Sequence, residues 1–147
     1  MAFFKFTDRI LNGEPIDIYN NGNMRRDFTY IDDLVEAIWR LQALPPTPPS
    51  QDRQAIDGDT LSPQAPWRIV SIGGGKPVEF MNFIEAILIA CGRKAIRNYM
   101  PMQSGDVPQT YASHELLEHL TGYRPATPVT EGVRKFVAWY REQYGTR

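Results

Sequence analysis

Apolar residues recur at helical spacing in five stretches of the chain, and this pattern predicts five helices. In each stretch the apolar positions fall every three or four residues, so they form one face that can pack on a core. Asp32 or Asp33 is expected to cap the second helix, and Ser113 and Thr130 the last two. The five stretches are residues 2–11, 34–44, 76–91, 115–120 and 131–144.

The apolar faces of these helices give a first list of core residues. The first helix is expected to bury Phe3, Phe6 and Ile10, and the third is expected to end at Gly92. The buried faces of the second and last helices are predicted to be Leu34, Ala37, Ile38 and Leu41, and Val133, Phe136, Val137 and Tyr140.

Four further segments have the composition of strands, with β-branched and aromatic residues bounded by turn residues. Together with the helices they predict a mixed α/β or α+β fold of about four strands and five helices. At 147 residues the chain fits a single domain, 1–147, in which the Pro-rich segment 45–66 is expected to be an exposed loop. The predicted strands are Pro15–Tyr19, Phe28–Ile31 within RRDFTYI, Arg68–Ile72 and Ile96–Met102.

Composition narrows the classes of function. The net charge of −1 and the pI near 6.1 argue against a nucleic-acid-binding protein, which is normally strongly basic. The single Cys91 cannot form an intramolecular disulfide, and its apolar neighbours suggest a core position. We find neither a membrane-spanning apolar run nor a signal peptide, so a cytoplasmic location is the default expectation.

Three groups of residues were considered as sites of chemistry. The glycines Gly73–Gly75 lack the GxGxxG and Walker spacings, so a tight turn is favoured over a phosphate cradle. His114 and His119 are five residues apart, which does not suit a shared metal, and both are expected to face solvent. Asp106, in the loop QSGDVP, could accept hydrogen bonds from a sugar diol or could cap a turn, and the residues leave both possibilities open.

The pair Arg25–Arg26 precedes a predicted strand and leaves a similar choice. Such a pair is commonly a solvated surface. Alternation along a strand, however, would place Arg26 on the same face as Phe28 and Tyr30, with Arg25 on the other face. A planar guanidinium beside aromatic side chains is suited to holding phosphate oxygens bidentately.

Four blocks taken in order resemble one known family. They are GNMRRDFTYIDDLVEAI, IGGGKPVEFMNFIEAI, MPMQSGDVPQTYAS and LLEHLTGYRPATPVTEGVRKFVAWYREQY. Together they are similar to the C-terminal, substrate-binding portion of extended short-chain dehydrogenase/reductases, and most of all to bacterial UDP-glucuronate 4-epimerases, often linked to capsular polysaccharide. The resemblance covers essentially the whole chain and implies a Rossmann-type parent, which would fold as an α+β fragment here.

The resemblance also implies roles for particular residues. Arg26 matches the arginine that contacts the diphosphate of a UDP-sugar, and Asp106 matches the acid that holds the ribose hydroxyls. Gln103 lies near the same diphosphate or ribose, and Tyr19 matches an aromatic position beside the uracil. No catalytic, cofactor-binding or metal-binding residue is assigned in this chain.

The departures from the family concern catalysis. Relatives are about twice as long and carry an N-terminal Rossmann half with a Gly-rich NAD loop and a Tyr-x-x-x-Lys pair. No tyrosine here is followed four residues later by lysine, and Met1 matches an interior methionine. The sequence therefore predicts the UDP-sugar-binding part of an NAD-dependent epimerase, inactive alone, with NAD bound by the parent and not by this chain.

Loss of the Rossmann half has a physical consequence. It would uncover the Ile69–Ile72 strand edge and apolar helix faces, so we expect self-association or a homodimer, for example by exchange of the Phe3/Phe6 helix. Two alternatives remain open. The parent could be a UDP-sugar decarboxylase or dehydratase, or the chain could be a stand-alone nucleotide-sugar-binding or partner-docking module.

Overall fold

The computed structural model describes residues 2–47 and 56–145, which fold into five α-helices and four short strands. This confirms the predicted mixed α/β class, although only two of the four strands, β1 and β4, are among those predicted. The helices are α1 (Ala2–Asn12), α2 (Ile31–Gln42), α3 (Phe80–Cys91), α4 (Glu115–Thr121) and α5 (Val129–Tyr144). The strands are β1 (Pro15–Ile18), β2 (Arg25–Arg26), β3 (Val78–Glu79) and β4 (Ile96–Tyr99).

The strands pair two by two. β1 and β4 are parallel, with Pro15 opposite Ile96 and Ile18 opposite Tyr99. β2 and β3 are antiparallel, and each has only two residues. The described chain separates into two compact units. The first comprises the described residues up to Arg26, Pro77–Thr110 and those from Thr127 onward, and the second comprises the described residues of Asp27–Lys76 together with Tyr111–Ala126.

The first unit contains α1, α3 and α5 and both strand pairs. The ring of Phe3 on α1 packs edge-on against Phe83 of α3, with 4.6 Å between ring centroids. The hydroxyl of Tyr140 donates to Asp8 Oδ1 at 2.7 Å, which joins α5 to α1. The Phe3/Phe6 helix is thus packed within this unit. The buried apolar core of the unit includes Phe6, Ile10, Ile16, Ile18, Phe83, Ile84, Ile87, Val133 and Val137.

The end of α3 also follows its sequence signals. Gly92 adopts a left-handed conformation, with φ of 61°, and so ends the helix as predicted. The guanidinium of Arg141 donates to the carbonyl oxygen of Cys91 at 2.7 Å, which satisfies one of the free carbonyls of the helix end. Cys91 itself is buried, as predicted, and burial raises the pKa of its thiol.

The second unit contains α2 and α4, and side-chain polar contacts join its segments. The hydroxyl of Tyr123 donates to Asp33 Oδ1 at 3.0 Å, and the guanidinium of Arg40 lies 4.9 Å from the centroid of the Tyr123 ring. Arg68 makes two hydrogen bonds to the carboxylate of Asp59, at 2.8 and 2.9 Å, and its side chain is only 5% exposed. Part of the segment 45–66, residues 48–55, lies outside the described residues, so its exposure as a whole stays a prediction.

Two predicted strands are wrong. Residues Phe28–Tyr30 form no strand, and Ile31 already belongs to α2. The segment Arg68–Ile72 is also not a strand, although its composition is that of one. Side-chain hydroxyls contact it instead: Thr60 bonds both the amide and the carbonyl of Ile69, and Thr29 donates to the carbonyl of Ile72. Within the described residues this segment pairs with no neighbouring strand, and a strand is defined by such pairing.

Three helix starts also differ from the prediction. Val78 and Glu79 belong to β3, because they pair with Arg25 and Arg26, and α3 begins only at Phe80. Asp32 and Asp33 lie inside the first turn of α2, where acidic groups favour the helix dipole, and neither caps it. The helix α5 begins at Val129, one residue before the predicted cap.

Candidate functional site

The candidate site lies in the first unit, where a turn and a loop come next to β2. The amide of Met100 donates to the carbonyl of Ile18, and the amide of Asn21 donates to the carbonyl of Met100, at 2.9 and 3.1 Å. Tyr19, the first residue after β1, therefore sits beside the start of the 100–110 loop.

The far end of the same loop is joined to β2. The amide of Arg25 donates to the carbonyl of Pro108 at 2.9 Å, and the amide of Thr110 donates back to the carbonyl of Arg25 at 3.1 Å. Arg25 also forms an isolated parallel bridge with Gln109. The backbone thus brings the segments carrying Tyr19, Gln103, Asp106 and Arg26 alongside one another. No hydrogen bond joins any two of these four side chains across residues 2–47 and 56–145.

The turn Tyr19–Gly22 has an unusual backbone. Asn20 and Asn21 both have positive φ, 48° and 51°, and Gly22 follows at 80°. Asparagine tolerates this region better than most residues, and the Asn20 side chain donates to the carbonyl of Asn23 at 2.8 Å. At its φ of +80° any other side chain at Gly22 would be strained, and a Cβ would also displace the side chain of Met81, whose sulfur would lie 2.4 Å away. The turn therefore has a fixed conformation between β1 and β2.

Arg25 is held by the chain's own groups. Its Nε lies 3.1 Å from Glu79 Oε1, and its Nη2 donates to the carbonyl of Pro77 at 3.1 Å. Through these two contacts Arg25 connects β2 to the segment that precedes α3. Its side chain is about half exposed, so the ion pair is screened by solvent.

Arg26 has a different environment. It is half-buried, and its Nη1 donates to the carbonyl of Arg25 at 3.0 Å while its Nη2 donates to the sulfur of Met24 at 3.3 Å. Both acceptors are uncharged. No carboxylate of the described chain forms an ion pair with Arg26, in contrast to Arg25. Among the described residues, no counter-ion compensates the positive charge of this half-buried guanidinium.

The two predicted loop residues are exposed. Gln103 and Asp106 belong to one turn, in which the amide of Asp106 donates to the carbonyl of Gln103 at 3.1 Å and Gly105 has φ of +88°. The carboxylate of Asp106 accepts no hydrogen bond from the described residues. It is thus available to a ligand, and the turn is closed by backbone atoms.

Sequence reasoning missed two residues of this site. Met24 contacts Arg26 and Glu79 contacts Arg25. Neither residue belongs to a sequence motif that would have predicted this role. Glu79 is far from Arg25 in the chain and comes close only because β2 pairs with β3. Met24 precedes the basic pair and appears in the sequence as an ordinary apolar residue. Its contact with Arg26 becomes visible only in three dimensions.

The glycines Gly73–Gly75, in the second unit, are already in contact with other groups of that unit. The amide of Gly75 already donates to Asp27 Oδ2 at 3.0 Å, and the amide of Ala112 donates to the same oxygen at 3.1 Å. A Cβ at Gly73 would lie 2.4 Å from the Cβ of Ala112, so the glycine serves close packing. A carboxylate occupies the position where a phosphate would need donors.

The histidines differ in exposure. His119 faces solvent as predicted, but His114 does not, because its side chain is only 17% exposed and its Nδ1 is next to Gly75. In the part of the chain that the structure covers, no three His, Cys, Asp or Glu side chains come close enough to hold a metal ion. None of the helices found in that part is long and apolar enough to cross a membrane.

Comparison with known proteins gives consistent matches. Residues 1–52 match the model of the NAD dependent epimerase/dehydratase family. A probable UDP-glucuronate 4-epimerase of Rhizobium meliloti is 56% identical over 144 residues, which are 98% of this chain and 42% of that protein. Protein CapI of Staphylococcus aureus is 48% identical over 98% of this chain and 43% of its own length. The chain thus spans less than half the length of these curated relatives.

Solved structures agree on the fold. The UDP-glucuronic acid 4-epimerase of Bacillus cereus, in complex with UDP-glucuronic acid and NAD, superimposes with a TM-score of 0.75 at 23% identity. The match covers 98% of this chain and 40% of that one. MoeE5, in complex with UDP-glucuronic acid and NAD, gives 0.74 at 25% identity, over 97% of this chain and 42% of its own.

Proposed function

Because this chain belongs to the NAD dependent epimerase/dehydratase family and spans less than half the length of its relatives, we propose that it is the UDP-sugar-binding portion of a nucleotide-sugar epimerase. The preferred substrate is UDP-glucuronate, since the relative at 56% identity is named a probable UDP-glucuronate 4-epimerase. The chain holds the nucleotide and has no turnover of its own. The cytoplasmic location stays a prediction.

One observation carries this proposal. Arg26 is half-buried, donates only to uncharged acceptors, and has no ion-pair partner among the described residues. A guanidinium has five N–H donors, so the two bonds it makes here leave about three for a ligand. A partly buried guanidinium with no counter-ion of its own among the described residues is well suited to bind an anion. A diphosphate provides the charge and the paired oxygens that suit a guanidinium.

The other three residues complete the proposed binding surface. Asp106 holds the ribose hydroxyls with a carboxylate that no described group occupies. Gln103, from the same turn, lies toward the diphosphate or the ribose. Tyr19 lines the uracil, from the turn whose conformation Gly22 fixes. Backbone pairing of β2 and β1 with the 100–110 loop supports bringing these four residues to one ligand.

The proposed ligand is UDP-sugar, and NAD is assigned to the part of the parent that this chain does not include. The Gly73–Gly75 segment supports that division, because the carboxylate of Asp27 takes the amide that a phosphate would use. We also propose that the isolated chain self-associates. Large apolar side chains on one face of α2 support this: Ile31, Val35 and Trp39 are 58%, 57% and 69% exposed.

Calorimetric titration with UDP, uridine and NAD tests the proposal. We expect UDP to bind more tightly than uridine, because only UDP engages Arg26, and we expect no heat from NAD. Asp106→Asn should weaken UDP and uridine alike, since both carry the ribose. Asp57→Asn, an exposed carboxylate in the second unit, is the matched control and should change neither.

An activity assay completes the test. Incubation of the chain with NAD and UDP-glucuronate should yield no epimerised sugar by chromatography. Absence of UDP binding would refute the binding role, and formation of product would refute the assignment of catalysis to the remainder of the parent. UDP binding that Asp106→Asn leaves intact would remove Asp106 from the site.

A further inference from the structure

Met24 lies beside the guanidinium of Arg26. Its side chain is only 5% exposed, and its sulfur accepts a hydrogen bond from Arg26 Nη2 at 3.3 Å. The backbone of Met24 is fixed on both sides. Its amide donates to the carbonyl of Gly22, and its carbonyl accepts from the amide of Phe80, at 2.9 and 2.8 Å. The sulfur therefore has a defined position relative to β2.

We propose that Met24 is a positioning residue, whose thioether orients the Arg26 guanidinium for the diphosphate without neutralising its charge. This inference rests on the proposed UDP-binding function. It assigns to Met24 a role beyond filling the core, namely to select one orientation of the guanidinium before the ligand arrives. Preorganisation of this kind improves affinity because less side-chain freedom is lost on binding.

The type of acceptor matters for this role. A carboxylate at the same place would form an ion pair and compete with phosphate for the same donors, as Glu79 does for Arg25. A thioether is only a weak acceptor, and it carries no charge. The carbonyl of Arg25 holds the other terminal nitrogen, Nη1, at 3.0 Å. Two neutral acceptors thus fix the plane of the guanidinium and leave its positive charge available.

Met24→Leu tests the inference, because leucine retains an apolar side chain of similar size and removes the acceptor. We expect UDP affinity to fall about three- to ten-fold, as for one modest hydrogen bond, while uridine affinity changes less than about two-fold. Met24→Gln restores an acceptor at a similar distance and should recover most of the UDP affinity. Ile87→Leu, an equally conservative change at a fully buried position of α3, is the matched control.

A measurement without ligand separates this inference from the proposed function. In nitrogen-15 NMR of the free chain, the Arg26 side-chain resonances should show restricted rotation that Met24→Leu releases and Met24→Gln preserves. Equal guanidinium mobility in all variants, or equal losses of UDP and uridine affinity in Met24→Leu, would overturn the positioning role. A wild-type chain that binds no UDP would overturn the proposed function itself, together with the ligand assigned to Arg26.

Discussion

Arg25 and Arg26 are adjacent in the chain, yet replacing each by glutamine should affect a different property of the protein. Arg25 forms an ion pair with Glu79 and donates to the carbonyl of Pro77. Arg26 donates only to Met24 and to the carbonyl before it. We therefore expect Arg25→Gln to lower the stability of the chain and Arg26→Gln to lower its affinity for UDP.

The magnitudes follow from these contacts. The side chains of Arg25 and Glu79 are 48% and 53% exposed, so their ion pair contributes at most about 1 kcal/mol. With the hydrogen bond to Pro77, Arg25→Gln should reduce the free energy of unfolding by about 1–2 kcal/mol. For Arg26→Gln, loss of a charge-assisted contact with phosphate should weaken UDP by about 2–3 kcal/mol, or roughly 30- to 150-fold.

Urea unfolding followed by tryptophan fluorescence measures the first quantity, and calorimetric titration with UDP measures the second. Arg134→Gln is the control for loss of one positive charge, because Arg134 is exposed on α5. The affinity loss of Arg26→Gln should also shrink at high salt, since part of it is electrostatic. Equal effects of the two substitutions on UDP, or a larger affinity loss for Arg25→Gln, would refute the division of roles.

Three further predictions concern stability and association. Burial and a carboxylate on α1 raise the pKa of Tyr140 to about 12, so its stabilisation is complete below about pH 10 and is lost as the pH rises through 12. Tyr140→Phe should show a shallower alkaline loss of stability in urea unfolding, and an unchanged slope would contradict this. Gly73→Ala should destabilise by about 1–3 kcal/mol in the same assay, since its Cβ meets Ala112, and wild-type stability would exclude the clash. Trp39→Lys should reduce self-association in light scattering, whereas Ile89→Lys, a similarly exposed apolar site, should not, and equal effects would argue against α2 as the contact.

Helical periodicity was informative wherever a helix has one apolar face. On α5 the predicted residues Val133, Val137 and Tyr140 are buried, because a core covers that face, whereas Phe136 is only half-buried. The same argument was less accurate on α2. There Ala37 is fully buried, but Ile38, predicted on the same face, is 48% exposed. A helix with apolar residues on more than one face gives no unique buried stripe, so periodicity cannot choose between them.

Short strands were the least predictable elements, because partners define them. Val78 and Glu79 follow a proline and resemble a first helical turn, yet pairing with β2 keeps them extended. The Ile69–Ile72 segment has a strong strand composition and no strand partner within the described chain. Local composition indicates which backbone conformation a segment favours. A β-strand also requires hydrogen bonds to a second segment, which is often distant in sequence.

The same distinction applies to the site. The sequence could identify a basic pair, but its alternation argument relied on a strand through Phe28 and Tyr30, whereas β2 ends at Arg26. It could not predict which arginine would be neutralised, because Glu79 reaches Arg25 only through the pairing of β2 with β3. Once that pairing forms, Arg25 is held in an ion pair with Glu79. Arg26 donates instead to the uncharged sulfur of Met24. Pairing of only one of the two neighbours thus leaves Arg25 in a structural ion pair and Arg26 as the group that we propose binds the diphosphate.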